Sequence, residues 1–169
     1  VPSVVRERRA GDPPILVADP YLSHAEAARL GVQRVSLDEL CATSDVISVH
    51  APLLPETVGM IGAAQLALMR DGATLVNTAR GPIVDHDALE RELVSGRLSA
   101  VLDVTDPEPL PESSPLWHLS NVVITPHVAG AQGNELHRLT GHALDELARF
   151  AARGVLLHEV HEADLVRTA

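Results

Sequence analysis

The stretch ATLVNTARGPIVDHDALERELVSGRLSAVLD, residues 73–103, contains the pattern from which the fold class is predicted. ATLVN at its start and SAVLD at its end are short apolar runs, as expected for buried strands. Between them Asp85 is a candidate N-cap, helical spacing continues through Val94, and Gly96 ends the helix. A strand, a helix and a second strand in this order predict a parallel pair joined by a crossover.

The same alternation continues on both sides of this unit. Three further strands are predicted: ILVAD (15–19), VISVH (46–50) and NVVIT (121–125). Further helices are predicted from His24 to Leu30, with Ser23 as N-cap and Gly31 just past the end, from the Ser36 capping pattern to about Ala42, from Ala63 to Met69, and over 134–152. Continuous apolar strands separated by helices predict an α/β domain whose parallel sheet is covered on both faces. This domain is predicted to span 15–152, between an irregular lead-in at 1–14 and a tail at 153–169.

Composition excludes several classes of function. The 169 residues are 46% hydrophobic but include one Phe, one Tyr and one Trp, so the core must be aliphatic and no stacking platform for single-stranded nucleic acid exists. A net charge of −10 opposes binding to nucleic acid or to an anionic membrane. No apolar stretch approaches the ~20 residues of a membrane helix. The single cysteine, Cys41, suits a reducing compartment, and we expect a cytoplasmic protein.

Polar or ionisable side chains stand at the ends of the predicted strands. The carboxyl ends of parallel strands share one edge of a sheet, and ligands of α/β proteins bind there. These residues are Asp19, His50, Asn77 with the following Arg80, Asp103, and Thr125 with the following His127. Any one of them alone is commonly a turn former or a helix cap. An Arg, an Asp and a His at adjacent strand ends favour a functional site.

Asp19 allows two interpretations. An acid after the second strand of a dinucleotide-binding unit accepts hydrogen bonds from the ribose hydroxyls and repels a 2′-phosphate, which would select NAD over NADP. The alternative is that Asp19 and Pro20 only start a turn.

The sequence HEVH at 158–161 is one residue short of the zinc motif H-E-x-x-H, and we predict no metal site.

Several long motifs resemble those of the D-isomer-specific 2-hydroxyacid dehydrogenases. They are DPY (19–21), SDVISVHAPLLPET (44–57), NTARGPIVD (77–85), LDVTDPEPLP (102–111) and SPLWHLSNVVITPHVAG (114–130), in the family's order. The resemblance covers residues 15 to about 150. It implies a Rossmann-type domain, an NAD cofactor, and hydride transfer between nicotinamide and a small 2-hydroxy or 2-oxo acid.

The resemblance also implies roles for individual residues. Arg80 would hold the substrate carboxylate and polarise the ketone, His127 would act as general acid and base, and Glu108 would fix the tautomer of His127. Glu108 stands where the formate-oxidising branch has Gln, which argues against formate. The implied cofactor contacts are Asp19, Pro52, Thr78, Ala79, Arg80, Asp103, His127 and Gly130.

One part of the family pattern is absent. None of the 11 glycines belongs to a G-x-G-x-x-G turn, so the first βα unit, with its pyrophosphate cradle, is not found. In the strand order 3-2-1-4-5-6, strand 1 lies between strands 2 and 4. Its loss predicts two unpaired strand edges, which would have to be covered by another closure of the sheet, by a further segment or by a second chain. We therefore expect a homodimer or a larger assembly.

Two other functions stay open at this point. The chain resembles a truncated oxidoreductase, but it would also suit a shortened, non-redox descendant that uses the same cleft without a dinucleotide. A non-enzymatic interaction module is the third possibility. The intact Arg, Glu and His favour the oxidoreductase and the non-redox descendant over the interaction module. The missing glycine turn favours the non-redox descendant.

Overall fold

The computed structural model describes residues 15–162. The predicted lead-in at 1–14 and the last part of the predicted tail, 163–169, lie outside the described residues. The strands are β1 (Leu16–Val17), β2 (Gln33–Arg34), β3 (Val46–Val49), β4 (Thr74–Asn77), β5 (Ser99–Leu102) and β6 (Val122–Ile124). The helices are α1 (His24–Leu30), α2 (Leu37–Thr43), α3 (Ala63–Leu68), α4 (His86–Val94) and α5 (Asn134–Arg153), with short 3-10 turns at Gly81–Ile83 and Pro115–His118.

The strands form two parallel sheets rather than one. β3, β4, β5 and β6 pair in chain order, and β1 pairs with β2 alone. β1 and β3 are not paired, and the strand order of a complete Rossmann sheet places its first strand at this position. The predicted fold class is therefore confirmed: residues 15–162 form a parallel Rossmann-type sheet flanked by helices, and the first βα unit is absent from this range.

Local sequence explains where the helices begin. The hydroxyl oxygens of Ser23 and Ser36 each accept a backbone hydrogen bond at 3.1 Å, from residues three positions later. Asp85 does the same for α4, accepting from the Ala88 N–H at 2.9 Å. Gly31 ends α1 with a φ of 69°, a left-handed conformation that glycine adopts without steric cost. These caps were correctly predicted from the sequence.

The core lies between the four-stranded sheet and the helices α2, α3 and α4. Ile47, Leu75 and Leu102 point into it from the sheet, and Leu66 and Leu89 from the helices. Among the described residues its buried hydrophobic side chains are all non-aromatic, as the composition predicts. The prediction that both faces of the sheet are covered is wrong for the described part of the chain. On the opposite face Val46 is 64% and Val123 54% exposed.

The two-stranded sheet of β1 and β2 differs most from the predicted strands. β1 has two residues where five were predicted, because β2, its one partner strand within residues 15–162, is equally short. β2 itself was not predicted, since Gln33–Arg34 has no apolar run. In the four-stranded sheet each difference is one residue at an end, and the last helix ends at Arg153. Within residues 15–162 no helix combines the length and apolar character that crossing a membrane requires.

Candidate functional site

The register of the four-stranded sheet aligns the strand ends that bear the predicted site residues. Asn77, the last residue of β4, pairs with Leu102 of β5, and Leu102 pairs with Ile124 of β6. The segments that leave these strands therefore start side by side at the carboxyl edge. They contain Arg80, Glu108 and His127 respectively.

Asn77 shapes the turn that contains Arg80. Its side chain is fully buried, accepts a hydrogen bond from the Ala79 N–H at 3.0 Å, and donates one to the Arg80 carbonyl at 2.9 Å. The Arg80 side chain is exposed and donates to the Ala79 carbonyl at 2.7 Å. Within residues 15–162 no carboxylate pairs with its guanidinium group, so this planar donor can bind an anionic ligand.

Gly81 connects this turn with the loop that bears Glu108. A Cβ atom built on Gly81 would lie 1.9 Å from the Thr105 carbonyl oxygen and 3.0 Å from the Asp106 nitrogen. Only a residue without a side chain allows the two backbone segments to approach so closely. The position of Arg80 relative to the Glu108 loop therefore depends on this glycine.

Glu108 and His127 form a direct pair at the edge of the sheet. The Nδ1 atom of His127 lies 2.6 Å from Oε1 of Glu108. An ionised carboxylate only accepts hydrogen bonds, so Nδ1 carries the proton and Nε2 is the nitrogen left for exchange with a ligand. The side chains are 47% and 44% exposed, which leaves the pair accessible from solvent. The expected contact between these two residues is confirmed, whereas their catalytic roles stay predictions.

Asp103 follows β5 and is only 4% exposed. One carboxylate oxygen accepts from the Thr125 hydroxyl at 2.5 Å and from the Val128 N–H at 2.9 Å. The other accepts from the Ala129 N–H at 2.8 Å. Burial alone would raise the pKa of this carboxyl, but the three hydrogen bonds and the nearby His127 outweigh it, and the pKa lies below its ordinary value.

The remaining predicted cofactor contacts lie at or near the strand ends. Asp19 follows β1, is exposed, and accepts from the Tyr21 N–H at 2.8 Å, as its alternative role in a turn requires. Pro52 follows β3, and its carbonyl accepts from the Thr57 hydroxyl at 2.6 Å. Thr78 and Ala79 belong to the Arg80 turn, and Gly130 follows the Asp103 contacts and is exposed. Their cofactor roles stay predictions.

Two residues that shape the site were not predicted from the sequence. Thr125 was noted only as a strand end, and Gly81 only as part of a motif, yet one holds Asp103 and the other allows the close backbone approach. The signal for Thr125 would have been a hydroxyl directly after a buried strand. No sequence signal identifies the partner of Gly81, because the contact joins residues 24 positions apart.

Residues 3–129 match the family model described as "D-isomer specific 2-hydroxyacid dehydrogenase, NAD binding domain". One similar curated relative is a D-3-phosphoglycerate dehydrogenase of Archaeoglobus fulgidus, 43% identical over 129 residues. The alignment covers 76% of this chain but 24% of the relative. The chain thus spans about a quarter of the length of this relative.

Solved structures show the same relationship. The apo form of Rhodotorula graminis D-mandelate dehydrogenase superposes with a TM-score of 0.73 at 35% identity, over 81% of this chain and 40% of that one. A D-isomer specific 2-hydroxyacid dehydrogenase from Xanthobacter autotrophicus, solved with NADPH and MES, gives 0.70 at 34% identity, over 86% and 59%. Both agree with the Rossmann-type architecture described above.

Proposed function

The chain belongs to the D-isomer specific 2-hydroxyacid dehydrogenase family, as part of the NAD-binding domain, and we propose that it forms the part of such an oxidoreductase that bears the Arg, Glu and His residues of the site. The reaction proposed is hydride transfer between a nicotinamide and a small 2-hydroxy or 2-oxo acid. The observation that carries the proposal is the 2.6 Å contact between His127 and Glu108 at the carboxyl edge of the sheet.

His127 is the proposed general acid and base. With Nδ1 donating to Glu108, Nε2 can give a proton to the oxygen of a 2-oxo acid and take it back in the oxidative direction. Glu108 holds the ring in the tautomer that this exchange needs. Its carboxylate is half exposed, so its contribution is orientation rather than a strong buried charge.

Arg80 is the proposed binding residue for the substrate carboxylate. Its guanidinium group presents parallel N–H donors that match a carboxylate. The contact between Gly81 and Thr105 ties this turn to the loop that bears Glu108. A 2-oxo acid held by Arg80 would therefore bind at the same edge as His127.

The described residues fit a dinucleotide at its two ends. At the nicotinamide end, one oxygen of Asp103 accepts two hydrogen bonds and the other accepts one, which leaves an acceptor site for a carboxamide N–H. At the adenosine end, Asp19 has a second carboxylate oxygen for a ribose hydroxyl. No glycine-rich turn in this sequence serves the pyrophosphate between them. A bound nicotinamide supplies or takes the hydride.

Arg80 provides the first test. Isothermal titration calorimetry of the full chain with oxalate, an unreactive analogue of a 2-oxo acid, should detect binding. Arg80→Gln should weaken that binding by about 10–100-fold, the loss expected for a hydrogen-bonded ion pair. Arg91→Gln, an exposed arginine on α4, is the matched control and should bind as the unmodified chain does. Equal affinity of the Arg80→Gln variant would contradict the proposed role.

A parallel titration with NADH separates the three functions. Binding of both oxalate and NADH supports the oxidoreductase, and oxalate without NADH supports the non-redox descendant. Binding of neither leaves the interaction module.

The absorbance of NADH at 340 nm with glyoxylate, pyruvate and hydroxypyruvate measures turnover. We expect turnover far below the usual range of roughly 1–1,000 per second, because no glycine turn holds the pyrophosphate. A rate in that range would show that the turn is dispensable.

Asp19 is the proposed determinant of preference for NAD over NADP. A 2′-phosphate would meet the Asp19 carboxylate at close range and be repelled. AMP and 2′,5′-ADP probe this end of the site without needing the pyrophosphate turn. AMP should bind more tightly, and Asp19→Ser should remove the difference. Equal affinities for the unmodified chain would exclude the role.

A further inference from the structure

His127 has a backbone conformation that few side chains adopt. Its φ is 54°, and among the described residues it is the one non-glycine residue with a positive φ. Such a left-handed conformation is strained for a residue with a side chain and persists only where the surrounding structure imposes it. The His127 N–H bonds to the Thr125 carbonyl at 3.0 Å, which tightens the turn but does not anchor it to the rest of the domain.

Asp103, the residue that follows β5, supplies that anchor. It holds the segment before His127 through the Thr125 hydroxyl and the segment after it through the backbone N–H groups of Val128 and Ala129. The Asp103 N–H in turn bonds to the Asn77 carbonyl at 2.9 Å, which fixes Asp103 to β4. The strained residue is therefore held on both sides by one buried carboxylate.

We propose that Asp103 is a positioning residue that imposes the left-handed conformation of His127 and thereby holds its ring against Glu108. The importance of this positioning for catalysis rests on the proposed function of His127. The hydrogen bonds that hold the residue do not depend on that function. The positioning role adds to the predicted cofactor contact of Asp103, because the three hydrogen bonds leave one acceptor site on the carboxylate.

Asparagine is the most informative substitution for Asp103. It has nearly the same shape, and one oxygen can still accept from Thr125 and Val128. Its NH₂ group would replace the oxygen that faces the Ala129 N–H, so two donors would oppose each other. Asp103→Asn should therefore release the segment after His127 and separate the ring from Glu108.

The readout is the Nδ1 proton of His127 in NMR spectra of the full chain, assigned by its loss in His127→Gln and in Glu108→Ala. In Asp103→Asn this proton signal should disappear or exchange with water about tenfold faster, a factor that corresponds to about 1.4 kcal/mol. Backbone amide spectra report whether the rest of the domain stays folded. A merely structural role would lower stability without changing the histidine signal in the folded molecules.

Three further variants complete the experiment. Asp106→Asn removes an exposed negative charge three residues away and should leave the signal unchanged. Thr125→Val should speed exchange, whereas Thr125→Ser, which keeps the hydroxyl, should not. This pair decides the matter if Asp103→Asn does not fold.

The proposal is overturned if Asp103→Asn folds and keeps the wild-type exchange rate, or if Asp106→Asn has the same effect. It is also overturned if the unmodified chain shows no Nδ1 signal that depends on Glu108. Oxalate titration of the same samples keeps the two claims apart. If the unmodified chain binds oxalate but the Asp103 variants leave the histidine signal unchanged, the positioning claim fails and the proposed function stands. If the variants change the signal but the unmodified chain does not bind oxalate, the proposed function fails and the positioning claim stands.

Discussion

His86 shows how one residue can make the stability of the domain depend on pH. It is the first residue of α4, and its Nε2 atom is buried with no hydrogen-bond partner in the described structure. Burial lowers the pKa of this histidine, and the nearby carboxylates only partly offset the effect. Those carboxylates belong to Asp106, Asp87, Glu90 and Asp85.

Replacing His86 should therefore flatten the decline of stability in mild acid. The unfolded chain protonates this histidine near pH 6.5, whereas the folded chain resists protonation, so stability falls as the pH drops from about 6.5 through the folded pKa. The free energy of unfolding, measured with urea at pH 7.5, 6.5 and 5.5, should therefore decrease less with falling pH in His86→Leu than in the unmodified chain. His24→Leu is the control, because His24 is also the first residue of a helix but is exposed. An unchanged slope in His86→Leu would refute the explanation.

At the scale of elements, the carboxyl edge depends on a close approach between two loops. The 3-10 turn Gly81–Ile83 lies against the segment that leaves β5, where Gly81 meets the backbone of Thr105. Backbone atoms cannot move aside as the end of a flexible side chain can. A glycine in open space, such as Gly141 on α5, has no such constraint.

The two glycines should respond to alanine in opposite directions. Gly81→Ala should lower the free energy of unfolding by about 1–3 kcal/mol or more, because the new methyl group overlaps the Thr105 carbonyl. Gly141→Ala should raise it by up to about 1 kcal/mol, since alanine has the higher helix propensity and nothing lies within 4 Å of its methyl group. Urea unfolding monitored by circular dichroism measures both. A Gly81→Ala variant as stable as the unmodified chain would exclude the clash.

At the scale of the whole molecule, the division of the sheet leaves apolar and backbone groups uncovered. Within residues 15–162 the edges of β1 and β3 that face the gap have no partner strand. The long helix α5 has no buried residue, and Leu139, Leu147 and Phe150 are 57%, 62% and 53% exposed. Open edges and exposed apolar surface both favour association between chains.

We predict that the purified chain sediments as a dimer or a larger species and that the β3 edge contributes. The Thr74 N–H bonds to the Asp45 carbonyl, so by strand alternation the Ser48 N–H points away from β4, toward the open edge. Ser48→Pro removes that donor and should shift the assembly toward monomer. Ser113→Pro, in an exposed loop, is the control. A strictly monomeric unmodified chain would contradict the prediction.

Patterns in the sequence predict the order of the elements other than β2, most helix boundaries and the residues at the strand ends. These depend on short-range chemistry: a cap at Ser23 or Asp85 satisfies backbone groups a few residues away, and apolar runs mark buried strands. Arg80 and His127 follow predicted strand ends, whereas Glu108 is identified as a site residue only by its resemblance to the family motif.

How those residues meet depends on tertiary contacts that no local pattern predicts. The approach of Gly81 to Thr105, the bonds from Asp103 to both sides of His127, and the uncovered face with Val46 and Val123 all join or expose residues distant in sequence. Their energies depend on distances that local propensity does not encode. The open edges of β1 and β3 were expected from the missing glycine turn, whereas the pairing of β1 with β2 was not, because a strand pairs with a neighbour in space and Gln33–Arg34 has no apolar run.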